Sequence, residues 1–340
     1  KNYDLKYTMK VLLLQADNRN QNNYACHLLK NYIYLMQTVL ITGGTGFIGR
    51  MLTNELIKEG YQVIILSRSA RNPEPGIRYA TWDIDKGHID QHALRSADFI
   101  IHLAGAGVMD KRWSKSYKKE IVDSRVETSR LIVENLRTNP HQVQAIISSS
   151  AIGWYGPDRP GSGAFTEQDP PSDDYLGYTC RLWEESIGQA SALGIRVCKI
   201  RTGIVLGKGG GALSEFIKPL RFGIAGILGS GRQMVSWIHA HDLCRIFVHA
   251  IQHTAMEGSY NAVAPQPVSN RNLVMTLARA TRKNIFLPLR VPSFMLKLIL
   301  GEQSIEVLKS ATVSADKIKG TGFVFRFPNI ETAIADLTSK

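Results

Sequence analysis

From Gln37 onward, short runs of branched apolar residues alternate with stretches of helical period. The runs are TVLI (38–41), QVIIL (62–66), FIIHL (99–103), AIIS (145–148) and RVCKI (196–200). Each is brief and nearly continuous, the pattern of strands buried on both faces of a parallel sheet. Between the first two runs, Ile48, Met51, Leu52 and Leu56 share one helical face, and Gly60 stands where a helix stop is expected. A longer helix is predicted from Ser114 to Leu136, with Ile121, Ile132, Val133 and Leu136 inward. Strand and helix in alternation predict βαβ units, hence an α/β fold with a doubly wound parallel sheet.

Beyond Thr202 the texture changes. Glycines crowd GIVLGKGGGAL and RFGIAGILGSGRQ. Helical patterns follow at 240–252 and 269–281, the second with Ser269 as N-cap. Two prolines and an apolar helix are read in FLPLRVPSFMLKLILG, and a short closing helix in FRFPNIETAIADL. The expected division is a sheet domain from 36–203 and 234–262, with a smaller C-terminal substrate lobe from 204–233 and 263–340. The first 35 residues show no sustained period and no signal- or transit-peptide pattern. They are expected to be an extension or a docked helix, and Met36 a natural start.

Composition narrows the class. A 340-residue chain with 44% hydrophobic and 21% charged residues reads as a soluble globular protein with a sizeable core. The four cysteines are scattered in no metal or redox spacing, as expected of a reducing, cytoplasmic setting. The net charge of +12 is spread along the chain, apart from a cluster at Lys111, Arg112, Lys115, Lys118 and Lys119. A nucleic-acid binder would gather such charge into a stripe, so small-molecule partners are expected, with neither nucleic acid nor membrane. A monomer or homodimer fits equally.

The apolar run at 38–41 breaks into GGTGFIG. Gly44, Gly46 and Gly49 fit G-x-G-x-x-G; Gly43, Gly46 and Gly49 fit G-x-x-G-x-x-G. Placed between a buried strand and an amphipathic helix, the glycines predict a Rossmann dinucleotide turn. They allow a tight turn, close backbone approach to a pyrophosphate, and helix–strand packing. The helix end then offers free amides and a positive dipole to the phosphates. An NAD site usually carries Asp or Glu after the second strand, to hold the ribose 2′-hydroxyl. Here Ser67 and Arg68 stand in ILSRS, with Arg71 nearby. A guanidinium clamps a 2′-phosphate and no carboxylate repels it, so NADP(H) is favoured over NAD.

These residues, with HLAGAGV (102–108), ISSSAIGWYG (147–156), IRTGIVLG (200–207) and WIHAHDL (237–243), resemble the extended short-chain dehydrogenase/reductase superfamily. YNAVAPQPVSN and the closing segment make the chain similar to its epimerase-like, YfcH-like subfamily with its own C-terminal domain. The resemblance implies that Gly43, Gly46, Phe47 and Ile48 line the pyrophosphate, and that Ser67 and Arg68 meet the adenosine phosphate. It implies Asp83 at the adenine and Leu103, Ala104 and Gly105 along the ribose. Ser150 matches the serine that holds a substrate hydroxyl or carbonyl.

The family's Tyr-x-x-x-Lys pair is missing. Its window, DDYLGYTCRLWEE (173–185), puts Leu176 or Gly177 at the tyrosine place and Cys180 or Arg181 at the lysine place. Three readings stay open. Another phenol stands in, Tyr155 first and Tyr178 second, unless Tyr155 is simply packed under its loop. Arg181 replaces the lysine as a fixed cation. Or the chain is a catalytically weak NADP(H)-binding regulator, a reading that a cell-division label on some relatives touches. Arg201 is either a pocket residue or half of an ion pair, and His239 and Asp242 are expected to tie the lobes together. The expected activity is that of an oxidoreductase or epimerase on a polar carbonyl or nucleotide-sugar substrate.

Overall fold

The computed structural model describes residues 37–283 and 285–339. The reading of the first 35 residues lies outside these. The strands are β1 Thr38–Thr42, β2 Gln62–Ser67, β3 Ile77–Asp83, β4 His88–Ile89, β5 Phe99–His102, β6 Ala145–Ala151 and β7 Arg196–Thr202. They continue as β8 Ile204–Gly207, β9 Gly210–Gly211, β10 Ile224–Leu228, β11 Met234–Val235, β12 Trp237–His239, β13 Gly258–Ala262, β14 Val268–Ser269 and β15 Leu287–Val291.

Eight strands form the main sheet in the order β13-β7-β6-β5-β1-β2-β3-β4. All neighbours run parallel except β3 and β4. The chain winds outward from β1 in both directions, so the order reverses between β1 and β5, where open α/β sheets bind ligands. Alternate residues of one strand enter opposite cores. Val39 and Ile41 pack on one face with Val63, Ile65 and Ile101; Leu40 packs on the other with Ile64, Leu66 and Ile100. Burial on both faces explains why these strands read as unbroken apolar runs.

Helix α1 (Phe47–Lys58) follows the glycine turn and buries Leu52 and Leu56 completely, each contributing about 1.5–3 kcal/mol of apolar burial. Gly60 follows it with φ +90°, a left-handed stop that glycine takes without strain. Helix α2 spans Gln91–Ser96, and α3 (Lys115–Thr138) starts on Ser114, which accepts from the Tyr117 amide. Its Ile121, Ile132, Val133 and Leu136 are buried as expected. Helix α4 (Tyr175–Gly188) is capped by Asp174, which accepts from the Gly177 amide.

A second lobe gathers α5 (Leu213–Leu220), α7 (Asn270–Arg282) and α9 (Ile330–Thr338) around Trp237, Leu273, Leu277 and Ile334. Helix α6 (Ala240–Gln252) packs against α1, and Ser269 caps α7 as expected. Val313, Ala315, Ile318, Phe323 and Phe325 return to the core of the sheet. Helix α8 (Ser293–Leu300) forms after its prolines but buries only Leu296; Phe294, Leu298 and Ile299 face out. Among the described residues no helix is long and apolar enough to cross a membrane.

Candidate functional site

The turn after β1 is shaped by close backbone approach. Gly43 has φ +70°, and a Cβ there would lie 2.9 Å from the Leu103 carbonyl carbon at the end of β5. A Cβ on Gly49 would lie 2.3 Å from the Gly43 carbonyl oxygen, so α1 sits directly on the turn. The Gly46 amide donates to Gly43 O at 3.0 Å. Gly46 is the helix N-cap and no side chain caps the first turn, which leaves its amides open toward the sheet's carboxyl edge. Thr42 ties the two strand ends together: its Oγ1 accepts from the Leu103 and Ala104 amides, both at 3.2 Å, and lies 2.7 Å from His102 Nδ1. His102 is fully buried, and burial pushes its imidazole down to about 3, so it is neutral. The Phe47 ring turns outward onto the glycine loop; a Cβ on Gly210 would lie 2.4 Å from it. Ile48 packs partly buried on the core.

At the end of β2, Ser67 is buried and Arg68 exposed. Arg68 makes no ion pair among the described residues. Arg71 lies over the Tyr79 ring at 5.9 Å. Asp83 ends β3, where its Oδ1 accepts from the Lys86 amide at 3.1 Å and its Oδ2 pairs with Lys86 Nζ at 3.2 Å. That contact holds its carboxyl below the ordinary value. The carboxylate is thus engaged locally, and an adenine would meet it already paired.

Ser150, near the end of β6, is buried and donates to Glu184 Oε1 at 2.7 Å. Glu184 comes from α4 and Arg201 from β7; they form a buried two-point pair, Nε to Oε1 at 2.8 Å and Nη2 to Oε2 at 3.0 Å. Ser259 of β13 also donates to Glu184 Oε2, at 3.0 Å. The Arg201 guanidinium stacks over the Trp154 ring at 3.7 Å. Of the two readings left open for Arg201, the ion pair is the one formed.

The proton donor proposed on Tyr155 does not fit its position. The side chain is fully buried and stacked on Phe165. Its hydroxyl donates to Asn261 Oδ1 at 2.8 Å and accepts from Arg201 Nη1 at 3.0 Å. Burial pushes the phenol up to about 12. Both hydrogen-bonding roles are therefore used inside the protein, and no reacting atom can reach the hydroxyl.

Helix α4 turns one face toward the end of β6. Cys180 Sγ donates to Ala151 O at 3.7 Å, and a Cβ on Gly153 would touch Leu176 Cβ at 3.2 Å. Leu176 and Cys180 therefore face the end of β6, with Glu184 one turn on. Burial pushes the Cys180 thiol up to about 12, so it stays protonated and is a poor nucleophile. Tyr178 and Arg181, candidates for the family's tyrosine and lysine roles, are on the solvent side. Tyr178 is 46% exposed, and Arg181 pairs with Glu185 at 3.5 Å while lying over the Tyr178 ring at 5.5 Å. A helical turn advances about 100° per residue, so the residue beside a site residue points elsewhere.

Four residues that sequence reasoning left out belong to this region: Thr42, Glu184, Asn261 and Arg125. Only Glu184 carried a signal, as one of two adjacent glutamates usable to set the register. At the lobe junction, Asp242 accepts from the Arg326 and Phe327 amides at 3.0 and 2.8 Å, and His239 stacks on Phe327. Both tie the lobes as expected. No group of His, Cys, Asp and Glu among the described residues is arranged to hold a metal.

Known proteins match over this same span. The family model described as the NAD dependent epimerase/dehydratase family matches residues 39–263, and a domain of unknown function, DUF1731, matches 291–337. The chain is 35% identical to the epimerase family protein YfhF of Bacillus subtilis over 301 residues, covering 88% of this chain and 97% of that one. Among solved structures it is similar to the human epimerase family protein SDR39U1 (isoform 2) with NADPH. That match has 31% identity and a TM-score of 0.78, covering 89% of this chain and 99% of the human one. It is also similar to a nucleoside-diphosphate sugar epimerase from Corynebacterium glutamicum, with 32% identity and a TM-score of 0.69, covering 92% of this chain and 62% of that one.

Proposed function

The chain belongs to the NAD dependent epimerase/dehydratase family, and from that premise we propose that it is an NADP(H)-dependent oxidoreductase or epimerase. The observation that carries this reading is the cradle between β1 and β5. Glycines stand where a Cβ would strike backbone, and an uncapped helix end stands beside them. That shape suits a pyrophosphate, which needs bare amides and close backbone. The similarity to a human protein solved with NADPH supports the same ligand. Arg68, exposed and without an acidic partner, supports the phosphorylated form of the coenzyme.

When bound, NADP(H) supplies hydride transfer. The chain's own residues do the rest. The first-turn amides of α1 hold the pyrophosphate, and Arg68 holds the 2′-phosphate. Thr42 fixes the Leu103–Ala104 backbone along which the ribose passes. Ser150 already gives its hydrogen to Glu184, so its oxygen is set to accept from a substrate hydroxyl; rotation of the hydroxyl would let it donate to a carbonyl instead. Arg201 clamps the Glu184 carboxylate and so fixes Ser150. A polar carbonyl compound or a nucleotide sugar suits this hydroxyl-binding site. Leu176 and Cys180, in place of the family's acid–base pair, favour a second reading: coenzyme binding with little turnover.

The test pairs two assays on the purified chain. Fluorescence quenching reads NADPH binding, and loss of reduced-nicotinamide absorbance reads turnover across carbonyl and nucleotide-sugar substrates. Turnover on any class supports the enzyme, binding without turnover supports the second reading, and no binding removes both.

A further inference from the structure

Cys180 faces the site where the family carries a lysine, and a thiol that stays protonated offers no charge there. A cation nevertheless stands beside it, reaching in from another helix. Arg125, on α3, lays its guanidinium against Gly105, the third residue after β5. A Cβ on Gly105 would lie 3.1 Å from Arg125 Cζ and 3.3 Å from its Nη1. On the other side the guanidinium stacks over the Trp183 ring of α4 at 5.0 Å. Arg125 and Cys180 lie within electrostatic reach of each other, but the protonated thiol carries no charge to pair with the guanidinium. Arg125 therefore bridges the end of β5 and the α4 face carrying Cys180.

Its hydrogen bonding is incomplete. Nη1 donates to Ile121 O at 2.9 Å, within its own helix. The remaining N–H donors meet no acceptor among the described residues, and no carboxylate pairs with it. A largely desolvated guanidinium without a counter-charge is costly unless a ligand completes it. The other inward arginine nearby, Arg201, has both a carboxylate and a phenol. The chain thus treats its two arginines differently: one is closed by protein, and the other is left open beside the backbone of Leu103, Ala104 and Gly105.

We propose that Arg125 supplies from α3 the cation that the lysine place of α4 lacks, and that it donates to the nicotinamide-side ribose and its adjoining phosphate oxygen. This rests on the NADP(H) reading above. The exchange is chemically specific. A guanidinium stays charged at any working pH, so the site keeps a ribose-binding cation and gives up one that can titrate. Ser150 and Glu184 then carry whatever proton movement the reaction needs, without help from this cation.

The test separates the two ends of the coenzyme. NADPH and adenosine 2′,5′-bisphosphate, which lacks the nicotinamide ribose, are titrated calorimetrically into wild type, Arg125→Met and Arg125→Lys. Losing charge-assisted donors predicts about tenfold or more weaker NADPH binding by Arg125→Met, with the bisphosphate unchanged within about twofold. Arg125→Lys should recover most of the NADPH affinity. Unaltered NADPH binding by Arg125→Met overturns the proposal. Equal loss for both ligands also overturns it, because the residue would then be acting through the fold. Wild type that binds neither ligand refutes the NADP(H) reading itself and takes this proposal with it.

Discussion

Ser150 Oγ donates to Glu184 Oε1 at 2.7 Å, and the same carboxylate holds Arg201 at two points in a buried pair. The serine expected to hold a substrate oxygen is therefore oriented from beneath by an ion pair rather than by a neighbouring phenol. Glu184→Gln leaves the Arg201 guanidinium buried without its counter-charge. That should cost about 3–5 kcal/mol in chemical denaturation. A change below about 0.5 kcal/mol, the usual range of surface substitutions, would show that the pair is not holding the site.

Tyr155→Phe removes a hydroxyl that donates to Asn261 and accepts from Arg201. The expected loss is about 1–3 kcal/mol of stability, because a buried amide oxygen and a guanidinium donor lose a partner. NADPH affinity and any turnover should stay within about twofold of wild type, since no reacting atom can reach the hydroxyl. An activity lost with stability intact would restore the phenol as an acid.

Two glycine-to-alanine changes should act in opposite directions. In Gly49→Ala the new methyl meets the Gly43 carbonyl oxygen at 2.3 Å, so the turn must move and NADPH binding should fall sharply. Gly188, at the end of α4, has nothing within 4 Å of an added Cβ and an ordinary φ of −61°. Gly188→Ala should stabilise by about 0.4–1 kcal/mol and leave binding alone. Melting curves with and without NADPH separate the two, and an unimpaired Gly49→Ala would rule out a tight turn.

How much of this was legible in sequence followed from how local each signal was. β1, the glycine turn and α1 could be read because their apolar spacing and their glycines lie within one continuous stretch. β13, GSYNA, could not. Its Asn261 is fully buried yet satisfied by Tyr155, Glu167 and Ser314, all far away in sequence. β3 is half-exposed beyond β2, so it lacks an apolar run. The fate of Tyr155 depended on a partner 106 residues away. The spacing left Leu176 or Gly177, and Cys180 or Arg181, open by one residue, because the contacts that turn Leu176 and Cys180 inward are with Gly153 and Ala151, more than twenty residues away. Arg125 gave no signal, because a single arginine on a long polar helix reads as solvated.

Buried His102 sets a pH dependence. The unfolded imidazole takes a proton near 6.5, whereas the folded one resists until about 3. Between those values the unfolded chain binds more protons, so stability falls as pH drops below 6.5. The slope is about 1.4 kcal/mol per pH unit for this residue. His249, pushed down to about 4 and partly exposed, adds a smaller share. Urea midpoints for wild type and His102→Gln between those pH values should converge on acidification. Parallel curves would mean that His102 is protonated in the fold.

The central claim is that the crevice between β1 and β5 takes a dinucleotide carrying a 2′-phosphate, gripped by Arg68. Isothermal titration with NADPH and NADH tests it most directly. NADPH should bind about tenfold or more tighter than NADH, and Arg68→Ala should erase most of that difference, consistent with the loss of a charge-assisted contact. Equal affinities in wild type, or no heat with either coenzyme, would contradict it.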